Sequence, residues 1–162
     1  MKIPIVDEND EIIGYKNKED RNSEDIIRIV IIWVTDENKN ILLQQRSLKM
    51  KINPNMWGPA VSGHVDEGET YDFSAYRELE EEIGLKDIKL IKSKKFFGIT
   101  NTGKRFAQLY LAQINSDSLL VPQESEVEQL KWFSKKELLD FYNKSPEIFP
   151  SIMKDLIELL VK

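Results

Sequence analysis

The run Ile26 to Val34 constrains the fold more than any other stretch of the sequence. It reads IIRIVIIWV, which is almost continuously apolar and rich in β-branched side chains that favour strands. A strand with this pattern is typical of the middle of a sheet that is covered on both faces. The covering layers have to be supplied by helices, so the run predicts an α/β fold built in layers.

Shorter strands are predicted around this one, separated by residues that favour turns. A hairpin is expected from Ile3 to Tyr15, turning at Asp7-Glu8-Asn9-Asp10, and the polar stretch Lys16 to Asp25 then connects it to the central strand. Lys49 to Pro59 contains two prolines and a glycine and is expected to be an ordered loop. The remaining predicted strands are Ile41 to Gln45, Ala60 to Val65, Ile88 to Ser93, Lys95 to Ile99, Arg105 to Ile114 and Gln129 to Phe133.

Three helices are predicted, and the clearest runs from Tyr71 to Ile83. Thr70 is a good N-cap and Gly84 a good C-terminal stop. The segment Ser134 to Glu137 has the spacing of a capping box and opens a helix that continues through Tyr142, and an amphipathic helix follows from Pro150 to Val161. The uneven alternation of strands and helices predicts one domain over residues 1–162, with a mixed sheet between helices on both faces and an N-terminal hairpin.

Composition excludes several classes of protein. The chain has no cysteine, which rules out disulfides, thiolate zinc sites and thiol nucleophiles. Its net charge of -5 disfavours a nucleic acid polymer as the main partner. No apolar run is long enough for a signal peptide or a membrane span, so we expect a cytoplasmic protein without a membrane partner. The N-terminal strands and the C-terminal helix are available for pairing with a second copy, which makes a homodimer a candidate assembly.

The predicted helix Tyr71 to Ile83 concentrates negative charge on one side. Glu78, Glu81 and Glu82 are spaced by three and four residues and therefore share a face, beside a core face formed by Tyr76, Leu79 and Ile83. Like charges at this spacing cost about 0.2–0.5 kcal/mol per pair. A hard divalent cation such as Mg²⁺ turns this repulsion into a net attraction. Mg²⁺ commonly binds carboxylates and the phosphates of a substrate together, so a diphosphate is a natural further ligand. The alternative is a solvated face in which Arg77 pairs with Glu81.

The residues around this helix carry a family resemblance. Gly63, Glu69, Arg77-Glu78-Leu79, Glu81-Glu82 and Gly84-Leu85 occupy every position of the pattern known as the Nudix box. The sequence therefore resembles the Nudix hydrolases, and the order of its predicted elements is similar to their αβα sandwich. The resemblance implies an enzyme that hydrolyses the diphosphate bond of a nucleoside diphosphate linked to another group, by attack of water at phosphorus.

The same resemblance implies roles for particular residues. Glu78, Glu81 and Glu82 are the expected ligands of Mg²⁺ or Mn²⁺, and the carbonyl of Gly63 is a further one. Arg77 is expected to orient a carboxylate, either Glu69 or Glu81, rather than to contact substrate. Members of the family often add a glutamate from outside the box as base or ligand, and the candidates in this sequence are Glu124, Glu126 and Glu128, of which Glu126 is preferred.

Substrate contacts are predicted outside the box. Arg46 follows a predicted strand and could hold a phosphate through two hydrogen bonds, the alternative being a surface salt bridge. Trp57 could stack on a base, the alternative being packing in the core. The loops Lys49 to Pro59 and Thr100 to Lys104 are expected to select the group that the diphosphate carries. Neither loop has a pattern that identifies this group.

A narrower resemblance competes with the hydrolase interpretation. The segments VDENDEIIGY, ILLQQRS and MWGPAVSGHV are similar to parts of the isopentenyl-diphosphate isomerases, which share the Nudix fold. Those enzymes use a cysteine where this chain has Ser62, whose hydroxyl is a far poorer acid, and they bind metal through several histidines. This chain has one, His64, which we expect in a turn or as a hydrogen-bond partner of a ligand. A non-catalytic, nucleotide-sensing Nudix module is the third alternative.

Overall fold

The sheet is organised around a central strand, β3, that has neighbours along its whole length. A computed structural model describes all residues 1–162, and in it β3 runs from Ile26 to Thr35. One edge of β3 pairs in parallel with β8, Gly103–Gln113. The opposite edge pairs in turn with three antiparallel strands, which are β1 (Lys2–Val6), β6 (Val61–His64) and β4 (Ile41–Arg46). The central position predicted for the apolar run is confirmed.

The other strands extend the sheet outwards. β2 (Ile12–Asn17) forms a hairpin with β1, and β7 (Ile91–Thr100) forms a hairpin with β8. β9 (Val127–Phe133) and β5 (Trp57–Pro59) lie on the two edges of β4. β5 and β6 are separated by one residue, so this extended segment leaves β4 and joins β3.

Side chains that alternate along β3 face two different hydrophobic clusters, which explains its nearly continuous apolar sequence. Ile27, Ile29, Ile31 and Trp33 face a cluster that contains the later helices, α2 (Lys135–Lys144) and α3 (Ile152–Leu160). Val30, Ile32 and Val34 face the cluster that contains α1 (Tyr71–Ile83). Helices therefore cover both faces of a mixed sheet, as the sequence predicted. None of them is long and apolar enough to cross a bilayer.

The ends of α1 are fixed by local signals. Thr70 Oγ1 accepts a hydrogen bond of 3.1 Å from the amide of Phe73, and Gly84 takes a left-handed φ of 73° that lets its amide reach the carbonyl of Glu80. The predicted bounds of α1 are confirmed. One face prediction is wrong: Leu79 and Ile83 are buried, but Tyr76 is exposed.

Two strand boundaries differ from the predicted ones. Lys95 to Ile99 and the end of Ile88 to Ser93 belong to one strand, β7, whose pairing with β8 shifts register between Lys92 and Lys95. A bulge of this kind keeps a strand continuous while breaking its alternation, which is why the sequence looked like two strands. The loop expected from Lys49 to Pro59 ends in β5, because three residues there pair with β4.

Asp10 joins the N-terminal hairpin to the rest of the domain. Its buried carboxylate accepts hydrogen bonds from Arg28 Nε at 2.7 Å, Lys95 Nζ at 2.6 Å and the Tyr71 hydroxyl at 3.0 Å. Burial by itself would raise the pKa of Asp10, but the bonds from Lys95 and Arg28 outweigh burial and hold that pKa below its ordinary value. The hairpin, β3, β7 and the start of α1 are therefore held together by one charged group.

Candidate active site

A cleft of about 610 Å³ opens where the β5 and β6 segment passes between β4 and β3. This volume lies within the roughly 300–1,000 Å³ that small-molecule sites usually occupy. Its walls include four regions that are distant in sequence: the end of β4 with the following loop, β6, the acidic side of α1, and the β7–β8 turn. Glutamates line one part of the cleft and cations line another.

Two buried carboxylates of α1 face the cleft. Glu78 and Glu82 are both buried, and Glu82 is only 3% exposed. Gln44 of β4 donates a hydrogen bond of 2.9 Å to Glu82 and one of 2.8 Å to the carbonyl of Ala60, which fixes Glu82 against the sheet.

Burial makes these carboxylates unusually reluctant to ionise. Desolvation, opposed by the charge of Arg77, raises the pKa of Glu78 to about 7. Desolvation and the neighbouring Glu78 charge hold the pKa of Glu82 well above its usual range. The charge of Glu126 adds to both effects. Carboxyl groups that resist ionisation in the free protein, and that face a cleft, suit a site where a cation supplies the missing positive charge.

Gly63 is required by the approach of Glu78. An added Cβ at this position would lie 2.1 Å from the Glu78 carboxyl carbon, so no side chain fits between β6 and α1 there. The glycine lets the carboxylate of Glu78 lie directly against the backbone of β6. This contact brings α1 and β6 together at the place where the family resemblance expects a carbonyl ligand.

Arg77 is the centre of an ion-pair network. Its guanidinium donates hydrogen bonds to Glu69 at 2.8 and 2.9 Å, to Glu78 at 2.9 Å and to Glu81 at 3.1 Å. It also donates one of 3.0 Å to the main-chain carbonyl of His64. Arg77 thus binds both carboxylates that were predicted as its possible partners, Glu69 and Glu81. Arg77 orients the acidic side chains and ties the helix to the end of β6.

Glu81 lies at the rim of the site. It is on the same side of α1 as Glu78 and Glu82, but 52% of its side chain is exposed and it is paired with Arg77. No three acidic or histidine side chains converge closely enough to enclose an ion in this arrangement. The buried pair, Glu78 and Glu82, fits a metal by its chemistry, since hard cations take carboxylate oxygens. Glu81 could join them by exchanging its bond with Arg77 for a bond to the metal.

The family of the chain is decided by its sequence as a whole. The sequence model of the NUDIX domain matches residues 26–153, which includes every wall of the cleft except the connector before β3 and the N-terminus. The chain belongs to the Nudix family. Membership implies hydrolysis of a pyrophosphate bond, and four of the glutamates that line the cleft, Glu69, Glu78, Glu81 and Glu82, belong to the Nudix box.

Two relatives represent the two activities suggested by the sequence. The chain is 31% identical to an uncharacterized Nudix hydrolase of Pseudomonas aeruginosa over 137 residues, which cover 84% of this chain and 79% of that one. It is 25% identical to an isopentenyl-diphosphate Delta-isomerase of Photorhabdus laumondii over 158 residues, or 94% of this chain and 88% of the isomerase. Similarity to this isomerase extends along the chain, in line with the resemblance of the flanking segments.

The fold comparison agrees with the family. The crystal structure of DR0079 from Deinococcus radiodurans superposes with a TM-score of 0.87 and covers 100% of both chains, at 21% identity. At this identity the match establishes the fold alone. It shows that the N-terminal hairpin outside the family match also has a counterpart in a solved structure.

Residues predicted outside the Nudix box fall in different places. Glu126 lines the cleft and is partly buried, whereas Glu124 and Glu128 are exposed and lie outside it. Arg46 also lines the cleft, with its Nε bonded at 3.0 Å to the carbonyl of Ile52. Both loops expected to select the substrate contribute to the walls.

The structure corrects the role predicted for Trp57. Its ring is 8% exposed and belongs to the core cluster under α2 and α3. It packs edge to face against Phe133 and Phe141, with centroid distances of 5.6 and 6.0 Å. Trp57 does not line the cleft, so its predicted stacking on a substrate base is wrong and the core alternative is right. The three residues of β5 turn this side chain inward.

Sequence analysis did not identify a group of cationic side chains that surrounds His64, which we call the basic cluster. Burial, with added repulsion from this cluster, lowers the pKa of His64 to about 3, so its imidazole is neutral at physiological pH. Arg46 and Arg105 are far in sequence from the connector that carries the other two cations, so no local pattern could have grouped all four. The members of the basic cluster are Lys18, Arg21, Arg46 and Arg105.

Proposed function

We propose that this Nudix protein is a divalent-metal-dependent pyrophosphohydrolase, acting on a nucleoside diphosphate linked to another group or on a related organic pyrophosphate. The observation that carries the proposal is the buried pair Glu78 and Glu82, whose pKa values are both raised, facing a cleft large enough for a small molecule. Buried like charges are costly unless a cation balances them, and a diphosphate is a natural further ligand of such a cation.

The residues divide the chemical work between them. Glu78, Glu82 and Glu81 would hold Mg²⁺ or Mn²⁺ together with the carbonyl of Gly63. When bound, the metal supplies positive charge that offsets the negative charge building on the phosphate oxygens. The other tasks fall to Arg77 and to residues outside the helix.

Glu126 is the proposed general base. It lines the same cleft from the segment before β9, and its negative charge contributes to the raised pKa values of both Glu78 and Glu82. A carboxylate in this position can accept a proton from the attacking water while the new bond from its oxygen to phosphorus forms. The bridging P–O bond of the diphosphate breaks in the same reaction, and the other phosphate leaves with its electron pair. Arg46, which also lines the cleft, is proposed to hold a phosphate oxygen, and Arg77 keeps Glu78 and Glu81 in position without contacting the substrate.

The experiment is a hydrolysis screen with Mg²⁺ and with Mn²⁺ over nucleotide sugars, dinucleoside polyphosphates, nucleoside triphosphates and prenyl diphosphates. Release of phosphate or a nucleoside monophosphate is expected for at least one substrate. Glu82→Gln should then lower kcat by about 10²-fold or more while the protein still binds the substrate, because the positions of metal and phosphate depend on this carboxylate. Inactivity of the wild-type protein with both metals across the panel would reject the proposal.

Isomerisation of isopentenyl diphosphate is the second candidate, supported by the similarity to the Photorhabdus laumondii isomerase. Ser62 lines the cleft, yet a serine hydroxyl is a weak acid for protonating carbon. We therefore expect no deuterium exchange into isopentenyl diphosphate in heavy water. A non-catalytic sensor is the third alternative, and it predicts that Glu82→Gln changes neither turnover nor binding.

The homodimer remains a prediction. β2 forms one edge of the sheet and carries Ile13, which is 68% exposed, beside the half-exposed Ile12 and Tyr15. An apolar edge strand of this kind can pair with a second copy. Light scattering at several protein concentrations measures the mass, and a monomer at all of them would contradict it.

A further inference from the structure

The basic cluster contains three arginines that are not paired with a carboxylate. Arg21, Arg46 and Arg105 take part in no salt bridge, although the chain forms many elsewhere. The charge of Arg21 helps to lower the pKa of Asp25, but the salt bridge of that carboxylate is with Lys16 Nζ, at 2.8 Å. Guanidinium groups grouped in a partly buried cleft repel one another, so their arrangement favours an anion that the chain itself does not supply.

Arg105 is held in place by the β7–β8 turn. Its guanidinium bonds the hydroxyls of Thr100 and Thr102, the latter at 3.1 Å, and both of these partners are neutral. Arg21 and Arg105 line the same cleft, and burial together with the charge of Arg21 lowers the pKa of Arg105. A side chain fixed by hydroxyl groups, with its charge not neutralised, is prepared to bind an anionic ligand.

His64 and the buried glutamates lie on opposite sides of β6. Gly63 faces α1, since its missing side chain would occupy the space of the Glu78 carboxylate. Successive residues of a strand point to opposite faces, so the imidazole of His64 points away from α1. The pairing agrees: Gly63 lies opposite Val30, which is in the α1 cluster, and His64 lies opposite Ile29, which is in the α2 and α3 cluster.

Arg105 is placed on the same side as His64. It lies beside Ile27 in the parallel pairing of β3 and β8, and Ile27 and Ile29 share the face that packs under α3. The cleft therefore continues past β6 from the glutamates to a second charged region, with Ile27 and Ile29 among its lining residues. A ligand that fills it meets carboxylates at one end and guanidinium groups at the other.

We propose that Arg21 and Arg105 form a second anion-binding subsite, and that the preferred substrates carry, beyond the diphosphate that is cleaved, a further phosphate monoester bound there. The substrate preference rests on the proposed hydrolase function, whereas the binding of an anion by this subsite does not. Arg46, at the end of β4, stays assigned to the diphosphate itself.

Paired substrates that differ by one phosphate test the preference. NADPH and NADH share a diphosphate and differ by a ribose phosphate, as do coenzyme A and 3′-dephospho-coenzyme A. A charge-assisted pair of hydrogen bonds changes an equilibrium by roughly 10- to 100-fold. We expect kcat/KM to favour the phosphorylated member of at least one pair by 10-fold or more, mainly through a lower KM.

The variant Arg21→Gln/Arg105→Gln should remove this preference. It is expected to lower kcat/KM for the phosphorylated substrate by 10- to 100-fold and for its partner by less than threefold. Arg21→Lys/Arg105→Lys, which keeps the charges, should retain part of the preference. The matched control is Lys89→Gln/Lys154→Gln, which removes the same charge from two exposed lysines outside the cleft and should leave it unchanged.

A binding measurement without metal separates the subsite from the enzyme. His64 is the single histidine, so its imidazole proton signals report directly on this part of the cleft. With EDTA at constant pH, inorganic phosphate should shift these signals saturably in the wild type and in the lysine control. The Arg21→Gln/Arg105→Gln variant should show no saturable shift.

The outcomes distinguish the two proposals. An arginine-dependent phosphate shift without hydrolysis of any diphosphate would overturn the proposed function and support the subsite. Hydrolysis without an arginine-dependent preference, together with a phosphate shift that persists in the double glutamine variant, would overturn the subsite and leave the hydrolase intact. Equal kcat/KM within both substrate pairs for the wild type would overturn the predicted preference for phosphorylated substrates.

Discussion

Replacing Glu78 with glutamine tests whether the buried carboxylates serve the site or support the fold. The pKa of Glu78 rises from its ordinary 4.5 to about 7, chiefly because the folded chain buries it. The folded protein therefore binds more protons than the unfolded chain between these values, and its stability falls as the pH rises through that window. At pH 8 the ionised Glu78 costs about 3 kcal/mol, as an order of magnitude.

Glu78→Gln removes this cost, so in EDTA at pH 8 we expect the variant to be more stable than the wild type. The gain is at most about 3 kcal/mol, or roughly 6–12 °C in Tm for a chain of this size. At pH 4.5 the difference should nearly vanish, because Glu78 is then protonated in the folded protein. Urea unfolding followed by tryptophan fluorescence at both pH values measures the two differences.

Mg²⁺ should reverse the order. The wild type gains about 1.4 kcal/mol for each tenfold excess of Mg²⁺ over its Kd, whereas the variant has lost a ligand and gains less. The control is Glu81→Gln, which removes the same charge at the exposed rim and should change metal-free stability by no more than about 1 kcal/mol. A Glu78→Gln variant that is less stable than the wild type at pH 8 in EDTA would refute the reasoning, since the bond to Arg77 would then outweigh burial.

Three further substitutions test other parts of the structure. Gly63→Ala places a methyl group in the space of the Glu78 carboxylate and should lower kcat by 10²-fold or more, with circular dichroism unchanged; activity within threefold of wild type would contradict the close contact. Asp10→Asn should destabilise the fold by about 3–5 kcal/mol at pH 7, because it leaves the largely buried guanidinium of Arg28 without its carboxylate partner; the loss should shrink below pH 3.8, as the wild-type carboxylate protonates. Trp57→Phe should lower the free energy of unfolding by about 1–3 kcal/mol and leave KM within twofold, whereas a large rise in KM would return Trp57 to the substrate site.

Much of the fold could be predicted because its signals are local. The bounds of α1 follow from Thr70 and Gly84, which act within one turn of the helix ends. The central position of β3 follows from its own composition, since only a strand covered on both faces can be apolar at almost every residue. The bulge in β7 could not be predicted, because it depends on how β7 pairs with β8.

In the candidate site, too, some features follow from local sequence and others depend on packing. The Nudix box placed Glu78, Glu81, Glu82 and Arg77 on one side of one helix, because that spacing is a property of helix geometry. Which of these carboxylates is buried was decided by the packing of α1 on β6. The sequence alone left Glu81 equivalent to the other two, and the structure places it at the rim.

The sequence by itself determined the central strand and the acidic helix, since each depends on a short stretch of chain, and it determined the family through the match over residues 26–153. Only the tertiary structure decided that Trp57 belongs to the core, that Gln44 holds Glu82, and that Arg21 and Arg105 line the cleft that contains His64. The physical reason is that burial and charge depend on distances in space, and these join residues that are far apart along the chain. Arg21 and Arg105 come together because β3 and β8 pair in parallel, which no local pattern specifies.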